Sequence, residues 1–187
     1  AIDIAIESGV KEAAAIITGD DSMAATGGMT VFKAIEKNDI ASLDALIGIG
    51  IDLEESADDG MFTGMTPLAA ACMTLNLEAV RRLLEGGADP DFKNADGETC
   101  LTKLLKAGDS AGDLFWRKND GKICKDLLKL LWSAGMEKDG RINDYSDTAL
   151  TLACKKSFND GQMNYCFAVE LVEGGCNINL SDLNGVT

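Results

Sequence analysis

The chain of 187 residues contains no histidine. Without an imidazole, the Ser-His and Cys-His relays of nucleophilic catalysis, histidine-ligated metal sites and the usual protonation switch near neutral pH are excluded. Basic residues are scarce as well, with 17 Lys and Arg against 31 Asp and Glu, for a net charge of -14. Because nucleic-acid binding depends on the neutralisation of phosphates by basic side chains, this balance argues against a DNA- or RNA-binding protein.

Long apolar runs and paired cysteines are missing too. No segment has the ~18 consecutive apolar residues of a membrane span, and no charged-then-apolar leader is present. None of the six cysteines belongs to a C-x-x-C pair, so neither a zinc site nor a dithiol redox motif is indicated. We interpret the cysteines as buried, reduced thiols and expect a cytoplasmic protein, with a secreted effector or the intracellular part of a larger protein as alternatives.

The chain does contain a repeated pattern. Two apolar residues, two variable residues and a glycine recur as LIGIGID, LLEGGAD, LWSAGME and LVEGGCN, with the glycines at Gly50, Gly87, Gly135 and Gly175. A second pattern precedes the later copies, as GMTPLAAAC at 64, GETCLTKLL at 97 and SDTALTLAC at 146. The interval from Thr66 to Thr99 matches one unit of about 33 residues, and the longer intervals indicate insertions.

The residues before each of these glycines favour a short amphipathic helix. In LEAVRRLL, the apolar Leu77, Val80, Leu83 and Leu84 fall at helical spacing, and the glycine that follows provides a left-handed cap. A pair of such short helices cannot bury its apolar face alone. Neighbouring pairs are therefore predicted to stack into a solenoid.

These residues resemble the ankyrin repeat, in which G-x-T-P-L-H-x-A-A begins a unit and L-L-x-x-G-A-D ends its second helix. The best copy runs from Gly64 to Asp96, whereas every histidine of the T-P-L-H motif is replaced and only Pro67 keeps the proline. The resemblance implies an all-α fold, an ankyrin-repeat solenoid of about five helix-turn-helix units joined by turn or β-hairpin fingers. A single domain over 1–187 is expected, with units at 1–28, 29–63, 64–96, 97–146 and 147–184, and with 185–187 starting a further unit.

The family resemblance also implies a protein-protein interaction module whose partner binds the side formed by the fingers and the first helices. Carried over to this sequence, the expected partner-binding residues are Asp58, Asp59, Met61, Phe62, Met73, Ala95, Asp96, Glu98, Lys103, Asn143, Tyr145, Asp147, Leu183 and Asn184. The first finger, residues 51–64, holds five acids and no base, and the net negative charge decreases from finger to finger along the chain. This gradient favours a basic peptide or protein as the partner.

Two insertions, 108–120 and 158–164, are predicted between the helices of the last two units. Phe115 and Trp116 in the first of them are either a cover for a neighbouring repeat or an exposed anchor that forms a second binding site. The chain starts inside one unit and stops within another, so we expect an excerpt of a longer protein or an oligomer that pairs through open solenoid ends. A structural spacer or self-association segment is therefore the alternative function.

Enzymatic activity is not expected. The segment DPDFKNADGE superficially resembles a calcium loop, but Lys93 takes a ligand position and Asn94 takes the glycine position. No phosphate-binding glycine loop is present, and carboxylates such as Asp58 and Asp59 are predicted on an exposed turn, without the burial that shifts a catalytic pKa. We expect neither a cofactor nor a metal.

Overall fold

The computed structural model describes residues 30–58, 60–107, 122–157, 162–182 and 185, which form four helix pairs. The helices are α1 (Val31–Glu36), α2 (Ile40–Gly48), α3 (Pro67–Met73), α4 (Leu77–Glu85), α5 (Cys100–Ala107), α6 (Lys122–Ser133), α7 (Ala149–Ser157) and α8 (Gln162–Glu173). A 3-10 turn (Gly60–Phe62) lies between α2 and α3. None of these helices is long and apolar enough to cross a bilayer.

The helix pairs stack in two layers. The first helices α1, α3, α5 and α7 contact one another in order, and the second helices α2, α4, α6 and α8 do the same. This arrangement confirms the all-helical prediction. The unit at 1–28 lies outside the described residues, and the total of about five units stays a prediction.

The fingers, the segments that join one pair to the next, are turns rather than β-hairpins in the described part of the chain. The one β-like contact there is an isolated bridge between Ala57 and Thr63. Tight turning is achieved with positive φ at Gly97, with a value of 71°, and at Ser146, with a value of 60°. Of the two expected forms, turn or β-hairpin, the described fingers have the turn.

Side-chain caps start the helices of the first two described pairs. Thr66 Oγ1 accepts the Ala69 N–H at 3.3 Å, and Asn76 Oδ1 accepts the Ala79 N–H at 3.1 Å. Each cap satisfies a backbone donor that has no partner within its own helix, and such a cap contributes about 1 kcal/mol. Local sequence thus fixes where each short helix begins.

Longer connections separate the helices of the last two pairs, as predicted. Helix α5 ends at Ala107 and α6 begins at Lys122, whereas α7 ends at Ser157 and α8 begins at Gln162. The second insertion is therefore shorter than the predicted 158–164, because its last three residues already belong to α8.

Helix α3 has small side chains because neighbouring helices surround it. Residues 67–72 are all buried, because α3 contacts α1 on one side, α5 on the other and α4 behind it. Alanine at three successive positions allows the neighbouring helices to approach closely. In α4, by contrast, only Ala79, Val80 and Leu83 are buried, and Arg81 is exposed.

The same kind of hydrogen bond, from a backbone N–H to a carboxylate, connects the start of each finger to the start of the next finger. Glu54 Oε1 accepts the Asp89 N–H, Asp91 Oδ2 accepts the Glu137 N–H, and Asp139 Oδ1 accepts the Asn177 N–H, each at 2.8 Å. The acceptor lies two residues after the acid that ends the G-A-D pattern in every case. These carboxylates therefore stabilise the contact between units.

Burial gives two of these carboxylates a raised pKa. Desolvation raises the pKa of Glu54, and the charges of Asp89 and Asp52 add to the increase, against the lowering effect of the bond from the Asp89 N–H. Desolvation likewise raises the pKa of Asp91, with contributions from Asp89 and Glu137. Glu54 Oε2 is buried and has no hydrogen-bond partner within the described part of the chain.

At the end of two second helices, a glycine leaves room for a side chain of the preceding unit. A Cβ on Gly86 would lie 2.6 Å from Ile47 Cγ2, and a Cβ on Gly174 would lie 2.0 Å from Trp132 Cη2. The unit between them has Ala134 at this place, and Ala134 and Leu84 line one pocket between α4 and α6. Small residues at this position therefore let successive second helices pack together.

We predict that Gly174→Ala lowers the free energy of unfolding by about 1–3 kcal/mol, because the new methyl group overlaps the Trp132 ring. Urea denaturation followed by circular dichroism measures the change. On a Trp132→Leu background the same substitution should cost much less. Gly48→Ala is the control, since its Cβ would meet nothing within 4 Å. An equal loss on both backgrounds would contradict the predicted overlap.

A second prediction concerns pH. Because the folded state raises the pKa of Glu54 and Asp91, their ionisation destabilises the fold at neutral pH, and this cost disappears as the pH falls through the folded pKa values. The double variant Glu54→Gln, Asp91→Asn keeps both acceptor oxygens. It should be more stable than the wild type at pH 7 by about 0.5 kcal/mol at most, after allowance for solvent screening.

Urea titrations at several pH values test this expectation. The advantage of the double variant should shrink as the pH is lowered towards 4, since the wild-type carboxyl groups then become protonated. Glu36→Gln, at an exposed position, serves as the control. A stability difference that stayed constant with pH would contradict a role for ionisation.

Candidate functional site

A buried asparagine holds the finger between α4 and α5, and another holds the finger between α6 and α7. Asn94 Oδ1 accepts the N–H groups of Asp96 at 3.1 Å and Glu98 at 2.9 Å. Asn143 Oδ1 accepts the N–H groups of Tyr145 at 3.0 Å and Asp147 at 3.1 Å. The amide thereby satisfies backbone donors that a tight turn leaves without partners, and it fixes the conformation of the finger.

Neighbouring fingers are also bonded to each other. Asn94 Nδ2 donates to Gly64 O at 2.5 Å, and the Thr99 N–H donates to Ile142 O at 3.2 Å. The carboxylate of Asp144 also packs against the preceding finger, since it lies 2.3 Å from where a Cβ on Gly97 would be. The fingers therefore form one connected row.

Threonines occupy two of the positions where the family motif has histidine. Thr151 Oγ1 accepts the Thr148 N–H at 2.8 Å, and the Thr151 N–H donates back to Thr148 Oγ1 at 3.2 Å. Thr102 Oγ1 donates to Ile142 O of the next finger at 2.5 Å. The loss of histidine therefore leaves hydrogen bonding at the first turn of these helices intact.

Two lysines of the first helices neutralise finger carboxylates. Lys103 Nζ lies 2.8 Å from Glu98 Oε2 and 3.1 Å from Asp96 Oδ2. Desolvation lowers the pKa of Lys103, but the hydrogen bonds and charges of Glu98 and Asp96 outweigh it, and the pKa is raised. The ammonium group is thus held charged between two acids.

The second lysine connects two successive fingers. Lys155 Nζ lies 2.6 Å from Asp147 Oδ1 and also contacts Asp182 Oδ2 of the next finger. Both acids are buried. Desolvation again lowers the pKa of the lysine, and the two carboxylates raise it by more.

The structure places part of the expected partner surface at exposed finger tips. Met61 is 58% exposed and Tyr145 is 70% exposed. Asp58, Ala95 and Asp96 are exposed as well. These five side chains lie where a partner could contact them.

The other expected residues have different surroundings. Met73 is half-buried on α3, and the Lys103 side chain is largely covered by its ion pairs. The residues of the proposed surface that lie outside the described part of the chain are Asp59, Phe115, Trp116, Leu183 and Asn184.

The sequence analysis assigned four residues to the partner surface that are in fact buried: Phe62, Glu98, Asn143 and Asp147. Phe62 packs against Phe32 of α1, with ring centroids 6.1 Å apart. The three polar residues take part in the finger hydrogen bonds and ion pairs given above. These contacts hold the fingers.

Sequence reasoning missed Asp144, which is exposed at the tip of the third finger beside Tyr145. Its register is that of Ala95 in the preceding finger, one residue after the buried asparagine. That equivalence was available in the sequence and could have identified it. Among the described residues, no group of three or more Cys, Asp or Glu side chains could hold a metal ion.

Comparison with known proteins agrees with this geometry. A family model for ankyrin repeats, in three copies, matches residues 31–112. No curated protein matches the chain. Ankyrin repeats are generally protein-protein interaction modules and are typically non-enzymatic. Residues 31–112, less than half of the chain, therefore match the ankyrin repeat family, and α6 to α8 continue the pairing and stacking of the matched helices α1 to α5.

Proposed function

We propose that this protein binds a protein or peptide partner along its finger side, defined as the fingers together with the first helices. The observation that carries the proposal is the row of exposed tips, Met61, Ala95 and Tyr145, on turns whose bases are buried and hydrogen-bonded. Tyrosine offers a large contact area with few rotatable bonds, which suits it to a binding surface.

Rigid presentation is the proposed mechanism. The buried asparagines and the bonds between fingers fix the tips before a partner arrives. Binding to such a surface loses little conformational entropy, so more of the interaction free energy appears as affinity.

The charge of the finger side favours a basic partner. Asp58, Asp96 and Asp144 are exposed at the tips, whereas Lys103 and Lys155 are each shared between two carboxylates. The acidic field is therefore only partly compensated, and it would attract a basic partner. Glu54, Asp91 and Asp139 of the earlier charge gradient serve the contacts between units instead.

Neither catalysis nor a cofactor is part of the proposal, and we place the protein in the cytoplasm. The thiols of the described cysteines, such as Cys72, Cys100 and Cys176, are free, which suits a reducing compartment.

A structural spacer, the alternative function, would leave the finger side without a partner. Binding experiments on that side therefore distinguish the two.

We predict that peptides selected on the immobilised protein from an unbiased peptide library carry net positive charge. Asp58→Lys should weaken the binding of a selected peptide about tenfold or more at low ionic strength, because it reverses a charge at the contact. Tyr145→Ala should weaken it to a similar extent by removing an aromatic anchor. Fluorescence anisotropy with the labelled peptide measures both effects.

Glu85→Lys is the matched control. It changes the net charge by the same amount as Asp58→Lys, but Glu85 is exposed at the end of α4, in the layer of second helices. If both charge reversals weakened binding equally, the net charge of the protein and not the finger side would be responsible. If neither Asp58→Lys nor Tyr145→Ala changed binding, the proposed surface would be wrong.

A further inference from the structure

Second helices pack onto one another through the residue that stands three positions before the glycine of each repeat. At this position Ile47 lies over Gly86 of the next unit, and Trp132 lies over Gly174. Both side chains are so close that a Cβ on either glycine would overlap them. At these two junctions the space between the helices is therefore filled by the chain itself.

The junction between α4 and α6 differs, because a pocket of about 280 Å³ lies there. The corresponding residues at this junction are Leu84 and Ala134. The pocket is lined by three apolar and three polar residues: Leu84, Leu130, Ala134, Arg81, Glu85 and Ser133. Its volume is just below the ~300–1,000 Å³ of small-molecule sites, so it fits one large side chain better than a larger ligand.

Glu85 gives this pocket an unbalanced negative charge. Arg81 Nη1 lies 3.2 Å from Glu78 Oε2, so a carboxylate of the same helix already neutralises the guanidinium group. Within the described ranges, no lysine or arginine forms an ion pair with Glu85. The pKa of Arg82 is raised first by its hydrogen bond to Glu78 and then by the charge of Asp44. The charge of Glu85 contributes less to that pKa.

The ends of two helices add to the negative potential at the pocket. Glu85 is the last residue of α4, and Ser133 is the last residue of α6. The C-terminal end of a helix carries a partial negative charge, because its last carbonyl groups have no partner within the helix. An apolar group that enters this pocket is therefore best accompanied by a cation.

The next junction of the same layer shows which groups fill such a place. There the Trp132 ring lies over Gly174, and Lys138 Nζ lies 4.7 Å from the centre of the ring. The same Nζ donates to Gly174 O at 2.7 Å, at the C-terminal end of α8. An aromatic ring thus fills the space between the helices, and an ammonium group binds both the ring and the helix end.

We propose that the pocket between α4 and α6 receives a tryptophan side chain of a partner polypeptide, with an adjacent lysine or arginine of that partner at Glu85. The ring would lie on Leu84, Leu130 and Ala134, and the cation would bind the carboxylate and the two helix ends. This is the arrangement of Trp132 and Lys138, supplied by another chain.

This contact does not depend on the proposed function. It belongs to the layer of second helices, whereas the finger side consists of the fingers and the first helices. A partner that had both a basic segment for the fingers and a tryptophan for the pocket would bind at two places, which strengthens its overall affinity. Failure of either proposal leaves the other untouched.

Nuclear magnetic resonance of the ¹⁵N-labelled full chain tests the proposal with a blocked peptide of sequence Gly-Ser-Trp-Lys-Ser-Gly. The peptide should shift the amide signals of Leu84, Leu130 and Ala134. Replacement of the peptide tryptophan by alanine should weaken binding at least about tenfold, because it removes the group that fills the pocket. Replacement of the peptide lysine by glutamate should weaken binding about threefold or more.

Protein variants separate the pocket from the rest of the surface. The double variant Leu84→Trp, Ala134→Gly copies the filled junction and should weaken peptide binding at least about tenfold, with circular dichroism as the check on folding. Glu85→Gln keeps the shape of the pocket and should weaken binding about threefold. Glu36→Gln removes an exposed carboxylate at the end of α1 and should leave binding unchanged.

Several outcomes would overturn the proposal. These are the absence of shifts at the highest soluble peptide concentration, shifts centred on Tyr145 of the finger side, and binding that does not need the peptide tryptophan. A folded double variant that still binds the peptide would do the same. So would equal losses for Glu85→Gln and Glu36→Gln, since the net charge of the protein would then explain the binding.

Discussion

A pair of helices with six to twelve residues each cannot bury its own apolar face, so every unit of this protein depends on contact with the next. That contact has three parts in the chain. Helix α3 packs against its neighbours through small side chains such as Ala70 and Ala71, and second helices pack where Gly86 or Gly174 leaves room for a neighbour's side chain. Hydrogen bonds from backbone N–H groups to carboxylates connect the start of each finger to the start of the next finger. The remaining features of the structure follow from this repeated contact.

The same contact determines what the polar residues can do. Of the many acids in the fingers, some accept hydrogen bonds between units and others share a lysine, so a count of charges overstates the free acidic surface. Glu54 illustrates the cost, because its second oxygen is buried without a described partner and its pKa is raised. The exposed acids at the tips are therefore a subset, and they are the ones relevant to a partner.

The repeat could be predicted from sequence because its signals are local. Glycine after an amphipathic segment, threonine before a helix and the interval between copies depend only on neighbouring residues, and they identified the helix pairs and the places where insertions occur. The exposed tips Met61 and Tyr145 were also predictable, since their register relative to the glycines and threonines defines the finger.

Other features could not be obtained in this way, because they depend on contacts between units. Phe62 lies in a finger by register, yet its ring packs against Phe32, about one unit away along the chain. Asp147 and Glu98 look like surface acids in sequence, and only the folded chain brings Lys155 and Lys103 to them. The replacement of histidine by Thr102 and Thr151 likewise became interpretable only when their bonding partners were visible.

Contacts limited to neighbouring units also separate stability from recognition. A change at Gly174 acts on the interface with Trp132, in the layer of second helices, and the fingers near Asn94 do not share that contact. Conversely, the tip side chains contribute little to stacking, so they can vary without loss of the fold.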